Sequence, residues 1–499
     1  MRDATRTGRA PHVSRAALTA IVLAATAVAA VAGGWTSRSG AASRMWVASP
    51  YVKLQESTRP SPWKPALVAP RGGRAVFQVV LDGGAKAQPR AGVPTGPGGA
   101  RLAGAISIRR ELSLPVGAPS SAVAHGLLGD VPDPLVPVSA RPQPGRRQVF
   151  WVSIDIPRTQ APGTYRGSIQ VARSSLGYRL RVADVTLPRE RALHTWFLVW
   201  GSHAEDAEHR AGAAAAYTRV LASYGIGDGS MAGGDAAIGL KPDLLDGGES
   251  DATLQRLARG VAAGARRLRA ARPGAVPYSY VFDEPPSDQL DEVQRWGNAL
   301  AGAAPTVRQL VTATTNPALG RTVGAWSMHL GALTPATLAT THGLGAEAWV
   351  YSSCCESPGS PTLLLDQHAV GNLAVAPASW LQGGSGLLYW SVNDYTGDPY
   401  RDPLNHGEDE GRTSNGDGVL LYPGRPFGLT APNPSLRLAL VAAGLQITDE
   451  AALLARRGHG DEARALLRRV LPGTARFVDN PAAWQDVERA LLQRLEETS

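Results

Sequence analysis

The sequence predicts a multidomain β plus α/β chain: an N-terminal β-sandwich, then a (β/α)8 TIM-type barrel, with C-terminal helices. Three observations carry that expectation. Residues 45–190 hold short alternating runs broken by Gly and Pro, without helical period. In residues 191–445 apolar, strand-like runs alternate with helical stretches, the pattern of a parallel sheet. Residues 446–499 are helical by period and add a terminal helical piece.

Bulk properties agree. A chain of 499 residues is long enough for two or three domains, and 43% apolar residues supply sizeable cores. With 56 Gly and 38 Pro, turns are frequent, as strand-rich architectures need. The formal charge of +8 raises nucleic acid as a partner. The densest basic clusters, "GARRLRAARPG" and "ALLARRGHGDEARALLRRV", space their arginines among Ala and Leu at helical intervals, so they read as solvated helix faces and nucleic acid is set aside.

Residues 1–44 read as an export signal or membrane anchor plus a linker. Arg2, Arg6, Arg9 and Arg15 precede the apolar run Ala16–Trp35, and small residues stand at Ala30 and Ala32, as in an export signal. The run is near the ~18 residues at which a spanning helix becomes feasible, so a single uncleaved N-terminal membrane span is the rival reading. Either way the rest of the chain is expected to work outside the cytoplasm, secreted or anchored by that segment.

The clearest sandwich strands are "RAVFQVVL", "RRQVFWVSIDIP", "GTYRGSIQVA" and "YRLRVADVTLP", each fitting a half-buried strand. No convergent set of acids or histidines marks this part, which reads as a scaffold. The barrel strands are "HTWFLVWG", "PYSYVFDEP", "RQLVTATTNP", "TVGAWSMHL", "AEAWVYSS" and "GSGLLYWSVND". Helical patterns such as "AGAAAAYTRVLASYG" and "DATLQRLARGVAAGARRLRAA" lie between them. Two of eight strands are poorly marked, the second falling in the Gly/Asp-rich stretch "GIGDGSMAGGDAAIGLKPDLLDGGES".

Function in such a barrel sits at the C-terminal ends of the strands. Those ends deliver Trp200; Asp283 and Glu284; Thr315 and Asn316; Tyr351 and Ser352; then Trp390, Asn393, Asp394 and Tyr395. Aromatics, one acid pair and amide or hydroxyl groups suit a sugar, so a glycan or glycoconjugate is the expected substrate. No nucleophile elbow, Walker loop, HExxH or dinucleotide fingerprint competes. Histidines, including His194, His329, His342, His368 and His406, fall at no metal-ligand spacing and read as structural or surface residues. No metal and no cofactor is expected. The adjacent Cys354 and Cys355 read as small, semi-buried residues at a strand end, since neighbours cannot staple an ordinary loop.

Asp283 and Glu284 close an unusually apolar run, and Pro285 and Pro286 stiffen the exit. Ordinary glycosidases set two carboxyl groups on opposite sides of the bond, ~5–5.5 Å apart for retention and ~6.5–9.5 Å for inversion. Sequence neighbours more naturally share one region of a site. That suits substrate assistance, in which a 2-acetamido oxygen is the nucleophile, one carboxylate orients it and the other protonates the leaving oxygen.

The ordered set "YVFDEP", "AWVYSSCCESPGSPTLLLD", "GSGLLYWSVNDY", "GDGVLLYPG" and "PSLRLALVAAGL" resembles the C-terminal region of glycoside hydrolase family 123, especially its relatives catalogued as domain of unknown function 4091. "RAVFQVVL", "QVFWVSIDIP" and "PGTYRGSIQV" resemble the β-sandwich that precedes the barrel in that family, so the resemblance covers roughly residues 45–444. It implies exo-acting β-N-acetylgalactosaminidase chemistry with substrate assistance and retention. Asp283 would then position the acetamido group and Glu284 would be the general acid/base, with Tyr351, Tyr389 and Trp390 around the sugar. Gly324 stands where relatives often carry an acid, and "LQITDEAALL" only loosely follows the family's acidic helix. Two other readings stay open: a non-catalytic carbohydrate-binding or envelope protein on a degenerate barrel, and a glycosidase for a sugar without the acetamido group, with Asp394 as partner.

Overall fold

The structure, a computed structural model, describes residues 44–499 except 61–65, 83–87, 142–146, 172–173, 228–247, 272–275, 405–407, 410 and 475. The expected signal or anchor at Ala16–Trp35 lies outside the described residues. So does the expected second barrel strand, apart from the ends of its stretch.

Nine strands come first: β1 (Arg44–Ala48), β2 (Ala66–Arg71), β3 (Arg74–Asp82), β4 (Pro89–Ala91), β5 (Ile106–Val116), β6 (Gly129–Pro137), β7 (Arg147–Asp155), β8 (Gly163–Val171) and β9 (Ser174–Thr186). They form two sheets, ordered β1-β3-β7-β5-β6 and β2-β9-β8-β4. The alternation of β7 shows how they pack. Phe150, Val152 and Ile154 enter the core between the sheets, with Phe77, Ile169 and Leu180. Trp151 points the other way and joins the large core of the rest of the molecule. A strand buried on both faces reads as a continuous apolar run, which is why "QVFWVSI" lacks polar alternation.

Six parallel strands follow: β10 (His194–Phe197), β11 (Tyr278–Asp283), β12 (Arg308–Thr312), β13 (Ala325–His329), β14 (Glu347–Ser352) and β15 (Gly386–Tyr389). Between β10 and β11 lie α1 (Gly201–Glu208), α2 (Ala214–Ser223) and α3 (Asp251–Ala271). The later connections carry α4 (Leu290–Ala303), α5 (Pro335–Gly343) and α6 (Ala369–Leu381), and α7 (Leu436–Leu454), α8 (Gly460–Arg468) and α9 (Pro481–Glu497) end the chain. Arg266 and Arg267 on α3 are exposed, as a solvated basic helix face requires.

The sheet order is β10-β15-β14-β13-β12-β11. The last strand pairs directly with the first, as in a barrel, but the described residues form six strands rather than the eight expected, with β10 and β11 left as edges and residues 228–247 between them outside the described residues. The sheet is nonetheless strongly curled. Its two edge strands meet through side chains, His194 against Tyr278 with ring centroids 5.8 Å apart and Trp196 against Tyr280 at 5.8 Å. Trp349 fills the space between, 4.9 Å from the Tyr278 ring. Gly386 makes room for it, because a Cβ there would lie 2.1 Å from Trp349 Cδ2. Alternate residues face the helices instead, as where Trp296 Nε1 of α4 donates to Ser279 Oγ at 3.2 Å.

α7 is apolar nearly throughout because it is enclosed, packing on α6, α8, α9 and β6. Arg437, near its start, pairs with Asp133 of β6 at 2.8 Å, both side chains fully buried, and so ties the sandwich to the helices.

Candidate active site

The site begins where β11 ends. The pairing of β11 with β12 shifts register between Tyr280 and Phe282, a bulge that lets residues three apart share one face. Tyr280 Oη therefore reaches Asp283 Oδ1 at 2.8 Å. Thr312, the register partner of Asp283 on β12, donates to the same Oδ1 at 2.6 Å. Burial pushes the Tyr280 phenol well above its usual pKa and the neighbouring Asp283 charge adds to that, so it stays a hydrogen-bond donor. Oδ2 of Asp283 has no partner among the described residues.

Glu284 takes φ of +45°, a left-handed conformation that a non-glycine residue rarely adopts. Its backbone N–H is held by Thr312, 3.1 Å from the carbonyl oxygen and 2.9 Å from Oγ1. That turn carries the second carboxyl group off the strand, and both acids are exposed. Oε1 of Glu284 accepts a short hydrogen bond from the Tyr351 hydroxyl of β14. Burial raises the Tyr351 pKa, and the bond to Glu284 and its charge raise it further, so this phenol too is a fixed donor. Glu284 Oε2 is open. The structure thus sets two neighbouring carboxylates side by side, each with one oxygen held by protein hydroxyls and the other free.

Beside this pair stands a feature the sequence reading missed. His329 ends β13 as the register partner of Tyr351, with ring centroids 4.2 Å apart. Its Nδ1 lies 3.2 Å from Oε1 of the buried Glu356. The signal was present, since His329 closes the run "AWSMH" at a strand's C-terminal end. Cys354 and Cys355, between Tyr351 and Glu356, are joined to each other in a vicinal disulfide, rather than standing as two separate thiols.

The other predicted contacts divide. Trp200 and Trp390 are half-buried beside the ends of β10 and β15. Asn393 is a correction: fully buried, it clips the Trp200 backbone with Oδ1 on its N–H and Nδ2 on its C=O, both at 2.9 Å, rather than standing at the surface. Tyr389 is another. It is fully buried, donating to Asp417 Oδ1 at 3.0 Å and accepting from Gly418 N at 2.9 Å, so "LLYW" offers only its Trp to the surface. Tyr395 spends its hydroxyl on Leu421 O at 2.7 Å. Asn316 is partly exposed and accepts from Ala318 N at 3.0 Å through Oδ1, which caps a short turn. Asp394 lies 3.1 Å from His203 Nδ1, in the Trp200 group.

A cavity of 330 Å³ lies elsewhere, between the sandwich and the C-terminal helices, lined among others by Tyr51, Trp151, Arg191, Gln446 and Glu488. Arg191 precedes β10, so this cavity adjoins the end where the parallel strands begin, and neither Asp283 nor Glu284 lines it. Among the described residues no group of three or more His, Cys, Asp or Glu is set to hold a metal.

Residues 274–454 match the family model described as glycoside hydrolase 123, catalytic domain. Among solved structures, a family 123 glycoside hydrolase from Clostridium perfringens, described for glycolipid glycan hydrolysis, aligns with a TM-score of 0.63 at 13% identity, covering 91% of this chain and 97% of that one. That likeness concerns the fold. A Bacteroides fragilis chain assigned as an alpha-galactosidase/melibiase aligns over 65% of this chain and 72% of its own at 11% identity, but a TM-score of 0.20 carries no argument. No curated protein matches by sequence.

Proposed function

The chain is a glycoside hydrolase family 123-like protein, and we propose that it removes a terminal 2-acetamido sugar, as a retaining, substrate-assisted exo-β-N-acetylgalactosaminidase-like enzyme. The observation that carries this reading is the pair of adjacent carboxylates, each tied through one oxygen and open at the other. Asp283 Oδ2 accepts the acetamido N–H, which turns the acetamido oxygen toward the anomeric carbon. Glu284 Oε2 carries the proton given to the leaving oxygen. The bond from the anomeric carbon to the acetamido oxygen forms as the glycosidic bond breaks, giving a cyclic intermediate. Glu284 then takes a proton from water, which opens that ring with net retention. The hydroxyls of Tyr280, Thr312 and Tyr351 fix both carboxyl groups before substrate arrives, so little reorganisation is needed in the transition state.

In the same reading the curled sheet serves as most of a barrel whose strand ends form the mouth, and residues 45–190 are its scaffold. A glycolipid glycan, the substrate class described for the Clostridium perfringens enzyme, is a natural choice of substrate. The arginines ahead of Ala16–Trp35 support export, with the protein secreted or anchored by that segment.

A panel of aryl β-glycosides with and without the 2-acetamido group tests this. Turnover confined to acetamido sugars, inhibited by a thiazoline analogue of the cyclic intermediate, is expected. Equal turnover of sugars lacking the acetamido group would overturn assistance, and binding without hydrolysis across the panel would identify a carbohydrate-binding protein instead.

A further inference from the structure

His329 is placed as few surface histidines are. Its ring lies against Tyr351, the residue that holds Glu284, and its Nδ1 faces the Glu356 carboxylate. The Glu356 side chain is 1% exposed whereas that of His329 is 28% exposed, so the ring is anchored from below and open above. A carboxylate only accepts, so in the neutral imidazole Nδ1 carries the ring proton and Nε2 presents a lone pair. Nε2 has no partner among the described residues, nor is it among the buried polar atoms without one. An accepting nitrogen, held in one tautomer and one orientation at the rim of the carboxylate pair, is built to take a hydroxyl proton.

We propose that His329 is a substrate-contacting, specificity-setting residue: Glu356 fixes its orientation, and Nε2 accepts a hydrogen bond from one hydroxyl of the sugar bound at Asp283 and Glu284. The inference rests on the glycosidase reading and adds to it a contact that selects among sugars by the placement of that hydroxyl. Glu356 is a positioning residue, acting only through the imidazole.

The test is a cycle between enzyme and substrate. Values of kcat/KM are measured for 4-nitrophenyl 2-acetamido-2-deoxy-β-galactoside and its 3-, 4- and 6-deoxy analogues, with wild type, His329→Ala, His329→Gln and Glu356→Leu, each checked for an unchanged Tm. In wild type one deoxy position is expected to lose about ten- to thirtyfold, the scale of one uncharged hydrogen bond in a partly open site. In His329→Ala the parent substrate loses a similar factor, and removing that hydroxyl then costs nothing more. His329→Gln, which keeps an acceptor near the Nε2 position, restores part of the discrimination, and Glu356→Leu weakens it. Losses that multiply at every deoxy position in His329→Ala, or a wild type indifferent to all three hydroxyls, would overturn the proposal. Calorimetric binding of the corresponding methyl glycosides reads the same cycle without turnover. A wild type that binds but does not hydrolyse therefore sinks the glycosidase reading alone, whereas one that neither binds nor hydrolyses sinks both.

Discussion

Two acidic arrangements in this molecule face opposite fates. At the junction of sandwich and helices, Asp133 is fully buried and saturated: Arg437 Nε at 3.1 Å and Nη2 at 2.8 Å, and Tyr422 Oη at 2.5 Å, all donate to it. Burial alone would lower the Arg437 pKa, but the Asp133 charge more than reverses that, so the guanidinium stays charged. At the rim, Asp283 and Glu284 are exposed, and each keeps one oxygen uncommitted. In the proposed reading the same side-chain chemistry is a rivet in one place and a reagent in the other, and saturation of the oxygens is what separates them. A carboxylate with every lone pair engaged has no capacity left for a substrate proton.

The contrast breaks most visibly under substitution. Asp283→Asn leaves the fold intact and exchanges the acceptor for an amide, so kcat on an acetamido glycoside should fall about 10²–10⁴-fold with Tm unchanged. Arg437→Met does the reverse. It strands Asp133 in the interior, and denaturant unfolding should show a loss of about 3–5 kcal/mol while the surviving folded fraction retains its kcat. Thr312→Val removes a donor from Asp283 and a support from the Glu284 backbone, for a fall of about ten- to a hundredfold in kcat/KM, which Thr312→Ser should largely rescue.

The smallest effect concerns Glu111, on β5 near Asp133. Burial, and then the Asp133 charge, push its carboxyl up to about 8, and neither oxygen has a hydrogen-bond partner among the described residues. Its folded pKa lies above the unfolded one. Between ordinary carboxylate pH and about 8 the folded protein holds a proton that the unfolded chain has released, so stability falls as pH rises through that window. Glu488, pushed up to about 7 chiefly by burial, slopes the same way. Unfolding measured across pH should therefore show Glu111→Gln flattening part of the slope. The gain at pH 9 should be only ~1 kcal/mol, because a buried amide still lacks a partner, with less gain at pH 5.

How much of this was legible in the sequence follows from what each signal encodes. The β11 run announced a buried strand because burial on both faces leaves a continuous apolar string, whereas β7, read as half-buried, proved buried on both; the strand-end rule led directly to Asp283 and Glu284. The pairing of β15 with β10 is what a barrel requires of its last and first strands, but hydrophobic period carries no information about how many strands lie between β10 and β11. Asn393 misled for a related reason, since a polar group near a strand end reads the same whether it meets a ligand or a backbone amide, and Tyr389, carried over from the family resemblance, is buried on Asp417 and Gly418. His329 was passed over because its partner Glu356 lies 27 residues away. Only the parallel pairing of β13 and β14 brings His329 to Tyr351 and so to the site.

The most direct test of the saturation argument is Glu284→Gln compared with wild type on one terminal β-N-acetylgalactosaminide, with both unfolding curves recorded. The account predicts that turnover falls at least about a hundredfold while the curves superimpose, because the open oxygen serves chemistry and not the fold. Turnover at the wild-type rate would contradict it.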